Sequence, residues 1–159
     1  MRRALTAVAA LAVLAGCGVA PTGVQGGGEP PTGIDNGMRL YFVSDSGLRG
    51  VPRQDHDLRD LNGIVKLLMA GPTPDEQRTG LSTLVRITGT FRVSSRKDRV
   101  TLRIADQDLA TSAQGQLVCS LARGQAVLTG ARPDRVEVTI DIGERSAGPY
   151  RCPQFLNQG

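Results

Sequence analysis

The chain has 159 residues, with 19 Lys and Arg against 15 Asp and Glu and only 3% aromatic side chains. That length suits one compact domain and is short for two. Seventeen of the 19 basic residues are arginines scattered along the sequence, and so few rings cannot build the basic and aromatic platform that single-stranded nucleic acid requires. No nucleic-acid partner is expected.

The first residues read as an export signal. Met1-Arg2-Arg3 is a short basic start, and Ala4 to Ala15 is an uncharged apolar run, too short to anchor the chain by spanning a bilayer. It ends in Leu14-Ala15-Gly16-Cys17. Small side chains at Ala15 and Gly16 admit an extended backbone to a signal peptidase, and Leu14 fills an apolar subsite. A cysteine directly after them offers a thiol for a diacylglycerol. Residues 1–16 are therefore expected to be a lipoprotein signal peptide, cut before a lipidated Cys17. The rival is a plain secretory signal followed by an incidental cysteine. Processing removes Arg2 and Arg3, so the formal charge falls from +4 to 17 basic against 15 acidic residues.

Residues 17–37 are expected to be a tether. Gly26-Gly27-Gly28 and Pro30-Pro31 lie in it with almost nothing apolar to bury, and such composition cannot offset its ordering entropy. A chain of that length reaches a few tens of ångströms, at about 5–6 Å times the square root of its residue count.

From Met38 the hydrophobic period changes several times. Met38 to Val43 reads as a strand closed by Ser44-Asp45-Ser46-Gly47. Asp57 offers a helix N-cap for Leu58, Leu61, Ile64, Val65 and Leu68, which follow at helical spacing. Gly71 sits at the C′ position and Pro72 prevents continuation. Gly63 either weakens that helix or admits another backbone. Leu84 to Ile87 and Phe91 to Val93 read as short strands, and Val100, Leu102 and Ile104 alternate with polar residues in another. Ala110 to Ala122 reads as a second helix, and Val136, Val138 and Ile140 as a last strand. The order β-α-β-β-α-β predicts a small two-layer α+β domain over residues 38–142, a mixed sheet with two helices on one face.

Two segments resemble the GerMN domain of spore-germination and sporulation proteins and actinobacterial lipoproteins. The first is Leu67-Leu68-Met69-Ala70-Gly71-Pro72-Thr73, then Glu76 and Gly80-Leu81-Ser82-Thr83. The second is Gln116-Leu117-Val118-Cys119-Ser120-Leu121, similar to that family's second helix except that Cys119 stands where an aromatic is common. The resemblance implies a non-catalytic α/β interaction module outside the cytoplasm, related in shape to ring-building domains of secretion and sporulation complexes. It carries over no ligand residues. The motif residues Gly71, Pro72, Thr73, Gly80, Leu81 and Gln116 have structural readings: a helix stop, a fixed turn, and Leu81 seated against the first helix. Gly71 and Gly80 lack the strand-to-helix spacing of a phosphate cradle.

Enzyme readings find little support. His56 is the only histidine, set in the polar run Gln54-Asp55-His56-Asp57 with no nucleophile or orienting partner in view. Adjacent Asp55, His56 and Asp57 diverge, so they do not converge on a metal. Asp106 and Asp108 read as turn residues. Neither cofactor nor metal is expected.

The tail, residues 143–159, carries Cys152 and shows no periodicity. With Cys17 lipidated, Cys119 and Cys152 are the two cysteines left in an exported chain, and a disulfide between them is expected. These readings together predict a non-catalytic interaction module. It is held to the extracytoplasmic face of the cell membrane by its lipid, with other envelope proteins as partners. The alternative is an envelope ligand-binding protein or a hydrolase of cell-wall material.

Overall fold

The computed structural model describes residues 37–53 and 60–156, all within one unit, Thr32–Gly159. Leu14, Ala15, Gly16 and Cys17, the tether before Gly37, and the run Asp55-His56-Asp57 lie outside the described residues. So does Leu58.

Strand β1 (Arg39–Ser44) buries Leu40 and Phe42. A two-residue turn returns the chain as β2 (Gly47–Pro52), antiparallel to β1 with Ser44 opposite Gly47. The Ser44 hydroxyl donates to the Gly47 carbonyl at 2.8 Å, and Gly47 supplies a φ of 103°. Nothing in Gly-Leu-Arg-Gly-Val-Pro announces a strand. At Gly50 a Cβ would stand 3.1 Å from the Tyr41 ring, a tight contact that the ring would have to relieve by a few tenths of an ångström.

Helix α1 (Leu61–Ala70) is capped by Asp60, whose carboxylate accepts from the Gly63 amide at 2.9 Å. The helix therefore starts three residues later than a cap at Asp57 would place it. Leu61, Ile64, Val65 and Leu68 form the buried stripe. Among the described residues no backbone crosses at Gly63, where a Cβ would meet the Asp60 side chain at 3.8 Å. Gly71, at φ 86°, ends the helix by donating to the carbonyls of Leu67 and Leu68.

A short helix, α2 (Pro74–Arg78), follows. The expected strand at Leu84 to Ile87 does not form. Val85 and Ile87 point inward as the alternation predicts, yet the backbone bonds to side chains in place of a ladder. The amides of Leu84, Val85 and Thr88 donate to Gln116, Thr83 and Gln107, and Gln107 also donates to the Arg86 carbonyl. Period two reports burial of alternate residues; it does not say what the backbone bonds to.

The main sheet has the order β3 (Phe91–Arg96), β4 (Arg99–Ile104), β5 (Glu137–Ile142), β6 (Arg145–Tyr150). β4 and β5 are parallel and the other pairs antiparallel, which makes the sheet mixed and the fold α+β. β6 lies inside residues 143–159, expected only as a tail stapled through Cys152, and adds a paired edge strand there. Pro149 and a bulge opposite Val138–Ile140 hid it, and both are tolerated because β6 is an edge strand.

Helix α3 (Thr111–Thr129) connects β4 to β5 and outruns its expected end at Ala122 by two turns, stopping at left-handed Gly130. Nearly every residue from Gly115 to Ala122 is buried, the mark of a helix enclosed on several sides. The main sheet covers it on one side, and β1 and α1 pack on another. Two glycines permit this. A Cβ at Gly124 would stand 1.9 Å from Ile64 Cδ1 of α1, and one at Gly115 would stand 2.8 Å from Leu48 and 2.9 Å from Phe155.

Cys119 of α3 is bonded to Cys152, with Cα atoms 4.5 Å apart, inside the range a disulfide requires. The bond pins the last turn, α4 (Pro153–Leu156), whose Phe155 meets Tyr150 edge to face at 5.4 Å. The cross-link spans 33 residues, so opening it is expected to cost about 3–4 kcal/mol. Urea unfolding of Cys119→Ala/Cys152→Ala beside the oxidised protein measures the loss.

Candidate functional site

The first motif's residues converge on one corner, between the end of α1 and the outer edge of β1. The Thr83 hydroxyl donates to the Leu68 carbonyl at 2.7 Å, closing one of the acceptors that every helix C-terminus leaves open. Thr73 caps α2. Its hydroxyl accepts from the Glu76 amide while the Glu76 carboxylate accepts from the Thr73 amide, the reciprocal capping box. Pro72 is buried, and its carbonyl accepts from Gln77 at 2.9 Å. Gly80, at φ 84°, turns the chain so that Leu81 is buried and Ser82 pairs with Val43 through two 2.9 Å backbone bonds.

Glu76 does further work. Both its oxygens accept from the Arg53 guanidinium at 2.7 Å, a bidentate pair of the stronger kind. Arg53 in turn lies over the Phe42 ring, 5.5 Å from its centre. Side-chain exposure is 11% for Arg53 and 18% for Glu76, so the pair is largely shielded. The hydrogen bond from Arg53 holds the Glu76 carboxyl below its ordinary value.

Gln116 is the second centre. It is fully buried on α3, its carbonyl oxygen accepting from the Leu84 amide at 2.8 Å and its amide donating to the Tyr41 carbonyl at 3.1 Å. One turn on, the buried Ser120 hydroxyl accepts from the Tyr41 amide at 2.9 Å. Two helix side chains thus satisfy both backbone groups of Tyr41 that face away from β2. Asn62 of α1 does the same at the edge of β3, accepting from Val93 at 2.9 Å.

Sequence reasoning placed Glu76, Thr83, Gln116 and Ser120 in motifs without assigning their partners, and it missed Arg53 and Asn62. Thr73-x-x-Glu76 is itself a capping-box spelling and could have revealed α2. No local signal marks the long-range bonds of Ser120 or Asn62.

Beside this corner lies an open groove of about 300 Å³, lined in part by Arg49, Val51, Asp75, Glu76 and Leu81. Its one shielded carboxylate, Glu76, is committed to Arg53 and to a cap. Asp106 and Asp108, expected as turn residues, both face exposed Arg145, at 2.8 and 3.9 Å. Among the described residues no three His, Cys, Asp or Glu side chains gather as a metal site, and no helix is long and apolar enough to cross a membrane. Gly71, Thr73, Glu76, Gly80, Ser82 and Thr83 each have a task in holding the corner closed. No protein-family model, curated protein or solved structure matches the chain.

Gln116→Leu keeps much of the volume but orphans the Leu84 amide and the Tyr41 carbonyl. At about 1–3 kcal/mol for each buried unsatisfied group, the domain should lose more than about 2 kcal/mol in urea unfolding, while Gln116→Glu should also fail to restore the donor. Glu76 should make stability pH-dependent. Its folded pKa lies below the ordinary 4.5, so its ion pair contributes fully above that value and fades as pH falls through the depressed one. Melting temperature should therefore drop on acidification below about 4.5, and less steeply in Glu76→Gln, which starts lower at neutral pH.

Proposed function

We propose that this chain is a lipid-anchored, non-catalytic interaction module of the bacterial envelope, of the GerMN type, working outside the cytoplasm. The observation that carries the reading is the cysteine arithmetic. The chain has three cysteines; two of them, Cys119 and Cys152, are joined. The remaining one is Cys17, directly after Leu14-Ala15-Gly16. Disulfides of this kind belong to oxidising compartments, which an export signal reaches, and a single cysteine left at the end of that signal is where a lipid would be attached. Two or three acyl chains anchor a protein firmly.

The resemblance to GerMN rests on the residues themselves. Its support is that Gly71, Pro72, Thr73, Glu76, Gly80 and Leu81 act together at one corner, while Gln116 braces the neighbouring edge of β1. The non-catalytic part is supported by what those polar groups are doing: each is engaged in holding backbone. Other envelope proteins are the expected partners.

Cys17→Ser should shift the protein from the membrane fraction to the soluble exported fraction, or leave it unprocessed, and abolish labelling by a fatty-acid probe. Persistent labelling would refute the anchor. Cross-linking in intact membranes tests the module: a recurrent protein partner supports it, and a co-purified glycan or peptide supports the envelope ligand-binding or hydrolase alternative.

A further inference from the structure

Arginines that are scattered in the sequence are gathered by the register of the sheet. β3 and β4 place Arg92 opposite Arg103 and Arg96 opposite Arg99, with Ser94 and Thr101 between them. All four arginines are exposed, while Val100, Leu102 and Ile104 face the core. Like charges directly opposite in an antiparallel pair are destabilising, and this hairpin has such a pair at each end of its ladder, about 13 Å apart at the usual strand rise. Arg99 reaches Glu137 at 3.7 Å and Arg103 reaches Asp141 at 3.3 Å, yet the two arginine side chains stay 78% and 71% exposed. Arg92, Arg96 and Lys97 have no acidic partner among the described residues.

The hairpin tip adds an independent observation. Lys97 has φ 57°, the only positive value at a non-glycine position among the described residues. Gly or Asn would hold that conformation at less cost. The tip is braced from below by Gln125 of α3, 2% exposed, which donates to the Lys97 carbonyl at 2.5 Å. At the opposite end, Arg92 and Arg103 flank an open depression of about 560 Å³. A lysine in a strained turn and arginines in repelling pairs are both poor choices for stability, and they share one surface.

We propose that this outward face of β3 and β4 docks the domain on the anionic phospholipid surface of the membrane that carries its anchor. The outward positions Arg92, Ser94, Arg96, Arg99, Thr101, Arg103, Glu137, Thr139 and Asp141 include no apolar side chain. A protein partner is usually gripped by buried aromatic or aliphatic anchors; a broad cationic face without them suits a fluid layer of phosphodiesters, where each added cation strengthens adhesion. The choice of a bilayer rests on the lipid-anchor reading, under which the anchor would hold the face at high local concentration above the headgroups.

The test uses the chain from residue 17 onward with Cys17→Ser, so that no acyl chain contributes. Its probes are vesicles of phosphatidylcholine containing one third phosphatidylglycerol, and vesicles of phosphatidylcholine alone. The protein should co-sediment with the anionic vesicles at low ionic strength, release in high salt, and ignore the neutral ones. Arg92→Ser/Arg96→Ser/Lys97→Gly should bind about a hundredfold more weakly, with a melting temperature that is unchanged or raised. Arg49→Ser/Lys66→Ser/Arg78→Ser, which removes equal charge from other exposed positions, should bind as the parent does. Equal binding to both vesicle types, retention by the β3 variant, equal loss in the two variants, or capture by an acidic protein without vesicle binding would each overturn the proposal. Fatty-acid labelling of the natural protein reads the anchor separately, so failure of one does not pass for failure of the other.

Discussion

The outer edge of β1 is the constraint around which the described structure is arranged. A strand in a two-stranded sheet leaves alternate N–H and C=O groups unpaired, and burying them unmet is costly. Here β1 lies under α3 with Leu40 and Phe42 in the core, and protein groups meet that need. Val43 is served by Ser82, and Tyr41 by Ser120 and Gln116. A helix has thus taken the place of a third strand. This explains why the hairpin remains separate from the main sheet although both contribute to one core.

The corner at Gly71 to Thr83 follows from that need. Ser82 must arrive beside Val43, so the chain leaving α1 has to reverse within about a dozen residues. The reversal is fixed at each step: Gly71 ends α1, Thr73 and Glu76 start α2, Gly80 turns out of it, and Thr83 ties the returning segment to Leu68. Arg53, at the end of β2, locks the same turn from the other side through Glu76. A substitution at Glu76 therefore affects an ion pair, a helix cap and the seating of β1 together.

Much of the architecture was legible from residue patterns, with telling exceptions. The apolar stripe of α1, the alternation of β4 and β5, and the stop at Gly71 are local signals, and the structure contains all three. β2 and β6 were not legible, because Gly50, Gly148 and Pro149 have little strand propensity. Residues 84–87 misled in the opposite sense, since their burial alternates while their hydrogen bonds go to side chains. The disulfide could be anticipated by counting cysteines, but the approach of α4 to α3 that permits it could not. In the corner, the motif residues stood out as a group; Arg53, the partner of Glu76, is brought in only by the tertiary fold.

Gln116, Ser120 and Gly124 recur at every fourth position of α3 and so form one ridge of the helix. Along that ridge the side chains shrink from an amide that spans to β1, to a hydroxyl that just meets it, to a hydrogen atom against Ile64. One face of α3 thus offers hydrogen-bonding side chains where the unpaired edge of β1 needs them and bare backbone where α1 comes closest. A methyl added at Gly124 would stand 1.9 Å from Ile64 Cδ1, so the smallest possible enlargement of this face already forces its neighbour to move.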